Sequence, residues 1–158
     1  MALTLRAVPP HEAEALIPIL RDADEGEERI RAKLADAAHT SYAALIDGQM
    51  LGAATMRWKQ DESEIIYIAV APGLRGRGYG KAIIAALLDE ARRRGAPSLL
   101  VGTANSSLEN IAFYQQCGFR MDHVRRDYFS YIQPPISEHS IPMRDMIVLR
   151  YAFGEERA

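Results

Sequence analysis

The run "VAPGLRGRGYGK", starting at Val70, sets Gly73, Gly76, Gly78 and Gly80 among Arg75, Arg77 and Lys81. An apolar, β-branched stretch precedes it and a helical pattern follows. A strand end that feeds a helix start leaves backbone N–H groups unpaired, and the helix dipole favours an anion there. Glycines at 76, 78 and 80 let those groups approach a bulky ligand without Cβ atoms in the way. No Ser, Thr, Asp or Asn stands just before the helix to cap it, so a bound anion can take that role. A tight strand-to-helix turn is the plainer reading of any glycine-rich loop, but the clustered cations favour a phosphate cradle. The known phosphate loops do not match in detail. In a Walker loop the first glycine slot would fall on Arg75 and the Ser/Thr slot on Ala82. A dinucleotide fingerprint would need a glycine at 81, where Lys81 stands.

The remaining reactive residue types are scattered. His11, His39, His123 and His139 show no metal-ligand spacing, so no metal site is expected. Cys117 is the single cysteine; it allows no internal disulfide and is read as a packing residue. Tyr114 shares a short helical pattern with Ile111 and Phe113, which by itself suits a core aromatic. Glu64 opens a strand and reads, on position alone, as a solvated carboxylate. "RDADEGEER" holds Asp22, Asp24, Glu25, Glu27 and Glu28; acids are favoured at a helix start, and the same patch would steer a cation.

These residues must be positioned by an α/β framework. "LTLRAV" reads as a strand ended by Pro9 and Pro10. "HEAEALIPILRDA" reads as a helix that Pro18 kinks or splits. "EGEERIRAKLADA" is a second helix, with Ile30 and Leu34 on one face. "SYAALI" and "QMLGAATMRW", joined by Asp47-Gly48, make a hairpin. "EIIYIAVA" is a central strand covered on both faces. The helix after the glycine loop buries Ile84, Leu87, Leu88 and Ala91 and is stopped by Gly95 and Pro97. "SLLVGT" is a buried strand, "SLENIAFYQQCGF" a helix, and "FRMDHVRR" a strand. A proline-containing loop, "YIQPPISEHSIP", leads to the last strand, "DMIVLRYAF". The order is β-α-α-β-β-β-α-β-α-β-β, read as one α/β domain over 1–158.

Composition narrows the function class. The chain has 158 residues, 48% of them apolar and 25% charged, with a net charge of −2. That is ordinary globular composition and argues against a broad basic surface for nucleic acid. No run approaches the length of a membrane span and "MALTLRAVPP" has no apolar leader pattern, so a cytoplasmic protein is expected.

Two segments resemble the GNAT acyltransferase superfamily. "RGRGYGKAII" matches its [QR]-x-x-G-x-[GA] pyrophosphate motif through Arg75, Gly78 and Gly80, and "EIIYIAVAPGLRGRGYG" is similar to its central strand plus loop. "NIAFYQQCGF" is similar to its later helix through Tyr114, Gly118 and Phe119. The resemblance implies a single mixed, mostly antiparallel sheet with a central splayed strand pair and helices on both faces. It implies acetyl-CoA as acyl donor and a small-molecule or protein amine as acceptor, and leaves room for a homodimer. The pyrophosphate would lie on the amides of Arg75, Gly76, Arg77, Gly78, Tyr79, Gly80 and Lys81. The pantetheine arm would add to Ile68, Ala69 and Val70 as a pseudo-strand, provided "SLLVGT" splays away. An N–H near Ile68 or Val70 would then meet the oxyanion.

The same resemblance makes Tyr114 the general acid that protonates the leaving thiolate. It makes Glu64, at the spacing of histone-type members, the general base; a water chain ending on a backbone carbonyl is the other route. The glutamate that members acting on protein N-termini carry twelve residues before the tyrosine is here Gly102. Many members have asparagine where Ser107 stands; Ser107 or Asn105 is then expected to hold the pantetheine arm, with a helix cap the alternative for Ser107. The acceptor groove would be walled by the acidic segment and by the loop with Tyr128, Phe129 and Tyr131, Glu138 touching the amine. A catalytically silent acyl-CoA-binding module is the alternative from another class.

Overall fold

A computed structural model of the chain describes residues 2–24 and 26–155. Nine strands are present among them: β1 (Thr4–Val8), β2 (Thr40–Ile46), β3 (Gln49–Arg57), β4 (Ser63–Val70), β5 (Ser98–Ala104), β6 (Arg120–Arg125), β7 (Ser137–Glu138), β8 (Ile141–Pro142) and β9 (Met146–Ala152). Seven make one sheet in the order β1-β2-β3-β4-β5-β9-β6. Every pairing in it is antiparallel except β4 with β5. The helices are α1 (Ile17–Leu20), α2 (Glu27–Ala35), α3 (Tyr79–Arg93) and α4 (Leu108–Gln116).

The sheet separates two cores. On one face Ile83, Ile84, Leu87 and Leu88 of α3 and Tyr114 of α4 pack on Ala44, Ala54, Met56 and Val101. On the other, Leu16, Leu20, Ile30 and Leu34 pack on Ala43, Ala53 and Tyr67. Consecutive alanines thus serve opposite faces, as the two-residue period of a strand demands. Each large aliphatic chain taken fully out of water contributes about 1.5–3 kcal/mol, so both helical layers are held mainly by burial.

Two local departures from the expected elements matter. The segment around Pro18 is not one helix: Pro10–Leu16 and Arg21–Ala23 are 3₁₀ turns flanking the single turn of α1. Pro18 lies in that turn's first positions, where its missing N–H costs nothing. The proline loop after β6 is not featureless either, because β7 and β8 form a short hairpin across His139 and Ser140, both at positive φ.

The central strand pair opens, as the family resemblance implied, and β4 shows why. It pairs with β5 only from Ser63 to Ile65. At that point β4 carries a bulge: Thr55 of β3 faces Tyr67, but Met56 faces Ile65. The extra residue, Ile66, breaks the alternation, so Ile66 and Tyr67 both pack toward α1 and α2 while Ile65 and Ile68 both pack toward α3. A bulge bends its strand and raises the local twist, which carries β4 away from β5 beyond Ile65.

Candidate active site

The wedge between the splayed strands is a cavity of about 480 Å³. Its walls include Glu64–Ala69 of β4, Val101–Ala104 of β5, Ser107 just before α4, and Asn110 and Tyr114 of α4. Across the sheet it reaches Asp24, Arg29, Lys33, Tyr128, Phe129, Tyr131 and Glu138. Among the candidates for the pantetheine arm, Ile68 and Ala69 line it, while the Val70 carbonyl accepts a bond from Arg75 Nε at 3.2 Å.

At the head of the cavity the glycine loop turns into α3. Gly76 and Gly78 have φ of 79° and 84°, a left-handed conformation that other residues adopt at a cost, and a Cβ on either would meet no protein atom. Gly78 is the N-cap, and the first helical bond runs from Ala82 N–H to its carbonyl at 3.2 Å. The amides of Tyr79, Gly80 and Lys81 therefore have no acceptor inside the helix. Gly80, read from sequence as allowing close phosphate approach, also has a packing reason: a Cβ there would sit 3.2 Å from Phe113 Cζ, where α3 packs against α4. Arg75 also departs from a loop cation's role, since its guanidinium pairs with Asp22 at 2.9 Å. Arg77 and Lys81 are exposed and have no ion pair among the described residues.

Tyr114 is buried on α4, its ring edge-on to Phe113 and Phe119 with centroids 5.3 and 5.9 Å away. Burial, with a smaller contribution from Cys117, pushes its phenol well above the usual tyrosine range, so the proton stays on. Its hydroxyl makes no hydrogen bond within the described residues. The helix ends immediately after it in a Schellman turn: Phe119 N–H bonds Tyr114 O at 3.0 Å, and Gly118 N–H bonds Gln115 O at 3.0 Å. The spacing from Tyr114 to Gly118 and Phe119 is thus the device that anchors the tyrosine. Gly118 has φ of 98°, and a Cβ would lie 2.9 Å from the Tyr151 ring. Gly118→Ala is expected to cost about 1–3 kcal/mol, a Tm drop of several degrees by calorimetry. Burial likewise holds the Cys117 thiol protonated, in keeping with a packing role.

Glu64 is not the solvated strand-start carboxylate that its position suggests; it is 6% exposed. Arg57 Nη2 donates to its Oε1 at 2.9 Å, and Arg125 donates to both oxygens at 3.2 and 3.4 Å. Asn105 also departs from expectation. It lies outside the cavity, donating to Pro142 O at 3.1 Å and accepting from the amides of Arg144 and Asp145 at 2.9 and 3.0 Å. Its amide fastens the segment before β9 to the end of β5. Ser107 lines the cavity, but as the N-cap residue of α4 it makes no side-chain cap; its hydroxyl donates to Glu138 Oε1 at 2.7 Å. At Gly102 a Cβ would collide with Met146, whose thioether fills the place a side chain would take.

The acidic segment divides. Asp22 and Glu28 are exposed, Glu25 lies outside the described residues, and Glu27 pairs with Arg21 at 2.9 Å. Asp24, by contrast, has a side chain only 6% exposed. It accepts from the Tyr67 hydroxyl, from Arg29 Nε at 3.0 Å and from the Tyr131 hydroxyl at 3.4 Å. Arg29 also lies over the Tyr131 ring, 3.9 Å from its centroid. Burial first, then the Asp24 charge, pushes Tyr131 up to about 12. This cluster joins the N-terminal segment, β4 and the loop after β6. Sequence reading missed Tyr67 because a strand covered on both faces gives no sign of which one it takes; the bulge in β4 sets that face. Asn110 was legible, four residues before Tyr114 on the same face of a helix.

No group of three or more His, Cys, Asp or Glu among the described residues could hold a metal ion. No helix among them is long and apolar enough to cross a membrane.

Comparison with known proteins agrees with this geometry. An N-acetyltransferase of Bacillus subtilis, YvbK, is 37% identical over 87 residues, 54% of this chain and 56% of that protein. The [ribosomal protein bS18]-alanine N-acetyltransferase of Escherichia coli is 32% identical over 83 residues, 52% of this chain and 56% of the relative. The chain thus matches these two over about half their length. Solved structures match almost throughout. An IAA acetyltransferase from Bacillus cereus superposes with a TM-score of 0.81 at 32% identity, over 96% of this chain and 100% of that one. A GNAT family acetyltransferase from Elizabethkingia anophelis, solved with acetyl-CoA bound, gives 0.82 at 29% over 96% and 98%. The model of the acetyltransferase (GNAT) family matches residues 9–119, and the chain belongs to that family.

Proposed function

We propose that the protein is an N-acetyltransferase that moves an acetyl group from acetyl-CoA to a primary amine by direct transfer in a ternary complex. The observation that carries this reading is the wedge: β4 beyond Ile65 has no partner strand on its β5 side, and Tyr114 lines the opening. The unpaired β4 edge suits the amides of a pantetheine arm, which would add to it as a strand adds to a sheet. The free amides at the head of α3 suit a pyrophosphate. The acetyl-CoA-bound structure of the Elizabethkingia relative supports the same ligand here.

In this reading the acceptor nitrogen attacks the thioester carbonyl, the C–N bond forms, and the C–S bond breaks. A β4 amide near Ile68 or Val70 stabilises the oxyanion. Tyr114 protonates the departing thiolate and recovers its proton from solvent. The amine must also shed a proton, since a free amine of pKa about 10 is almost wholly protonated at neutral pH. Glu64 was the expected acceptor of that proton, yet both of its oxygens already bond guanidiniums. We assign it instead to anchoring β3, β4 and β6 beneath the cavity, with water and backbone carbonyls carrying the proton. Glu64→Gln should then cost about 1–3 kcal/mol, short of a fully buried pair because both arginines are one-third exposed, and leave kcat within a few-fold. A kcat loss of about 10² or more with Tm unchanged would restore the general-base role.

The activity is tested by incubating the protein with acetyl-CoA and a panel of amines while following free thiol. Acceptor-dependent release is the expected result. Binding of CoA, measured by calorimetry, without release for any amine would favour a silent acyl-CoA-binding module.

A further inference from the structure

The charges lining the cavity are almost all matched. Asp22 meets Arg75 at 2.9 Å, Asp24 meets Arg29 at 3.0 Å, and Glu64 meets Arg57 and Arg125 at 2.9 and 3.2 Å. Two charges are left over among the described residues. Glu138 lines the cavity, is half-buried, and has no cation within salt-bridge distance. Lys33 lines it, is half-buried, and has no carboxylate within that distance.

Neither is a stray surface charge. The Glu138 carboxylate is held by two hydroxyls on the same oxygen, Ser106 Oγ at 2.9 Å and Ser107 Oγ at 2.7 Å, which leaves Oε2 uncommitted. Those serines lie between the end of β5 and the start of α4, so this charge belongs to the β5 side of the wedge. Lys33 projects from α2 with its ammonium 5.6 Å from the centroid of Tyr67, on the β4 side. The two do not pair with each other, so the cavity presents one negative and one positive group from different walls. A partly desolvated charge is costly until something of opposite sign meets it.

We propose, resting on the acetyltransferase reading, that the acceptor is a small zwitterionic amine: a primary ammonium that docks on Glu138 and a separate anionic group, such as a carboxylate, that docks on Lys33. A polyamine would bring a second cation toward Lys33 and be disfavoured. A simple monoamine would leave Lys33 unmet. The Asp24–Arg29 pair is already neutral and does not compete for either end of the ligand.

The test compares aminocarboxylates of increasing chain length with the corresponding monoamines and diamines, using the full chain and acetyl-CoA. The expected order in kcat/KM is aminocarboxylate, then monoamine, then diamine, with at least a tenfold preference for the first. Lys33→Met should erase that preference by raising KM for aminocarboxylates far more than for monoamines. Glu138→Gln should raise KM for every amine. Diamines outperforming aminocarboxylates, or Lys33→Met weakening all acceptors alike, would overturn the proposal while leaving the acetyltransferase intact. If no amine turns over, the acetyltransferase reading fails by itself. The zwitterion proposal is then decided by binding: thermal stabilisation of the wild type by aminocarboxylates, lost in Lys33→Met, supports it, and equal stabilisation of both proteins overturns it.

Discussion

Tyr114→Phe is expected to lower kcat by about 10²–10⁴ while leaving the KM for acetyl-CoA and the Tm nearly unchanged. The geometry makes this variant unusually clean. The substitution keeps the ring that packs on Phe113 and Phe119, and it removes a hydroxyl that no described residue bonds. It also keeps the carbonyl that receives the Phe119 amide, so the helix terminus survives. The pH dependence follows from the same burial. The active form is the protonated phenol, and its pKa is raised, so deprotonation of Tyr114 should cause no alkaline loss of activity below about pH 10. A raised KM at constant kcat would remove the general-acid role. An alkaline limb near neutral pH that disappears in Tyr114→Phe would contradict the raised phenol.

The second large effect is expected at the glycine loop. Gly78→Asp should weaken CoA binding by about 10²-fold, the loss of roughly one or two charge-assisted hydrogen bonds. It places a carboxylate and a Cβ on the ligand side of the first free amides of α3. The fold should survive, because the new Cβ meets no protein atom and Asp tolerates the left-handed region better than most residues. The backbone cost is about 1–2 kcal/mol, a Tm loss of several degrees at most. Isothermal titration with CoA and a thermal melt separate the two quantities. Unchanged affinity would mean that the pyrophosphate does not lie on these amides. Gly80→Ala makes a useful contrast, since its Cβ would press on Phe113 and read out through Tm before affinity.

What could be read from the chain were features with short-range causes. The stripe Ile84, Leu87, Leu88 and Ala91 identifies the buried face of α3, since helical spacing alone puts these residues together. Asp47-Gly48 closes the β2–β3 hairpin because two positive-φ residues match the twist of the strands. Gly118 ends α4 for a similarly local reason, and with it comes the anchoring of Tyr114.

The tertiary structure decided everything that depends on partners distant in sequence. The solvated reading of Glu64 failed because Arg57 and Arg125 reach it from β3 and β6. Asn105 is drawn away from the cavity by the 142–145 segment, which no local pattern reveals. Asp24 looked like any acid in a helix-start cluster until Tyr67 and Tyr131 closed on it. Above all, a single extra residue in β4 turns Tyr67 toward α1 and α2 and parts β4 from β5. Spacing in the chain therefore determined which helices and turns form and that a glycine-rich loop leads from the central strand into α3. Register between strands, which is set by pairing energies across the sheet, determined where the wedge opens and which side chains face into it.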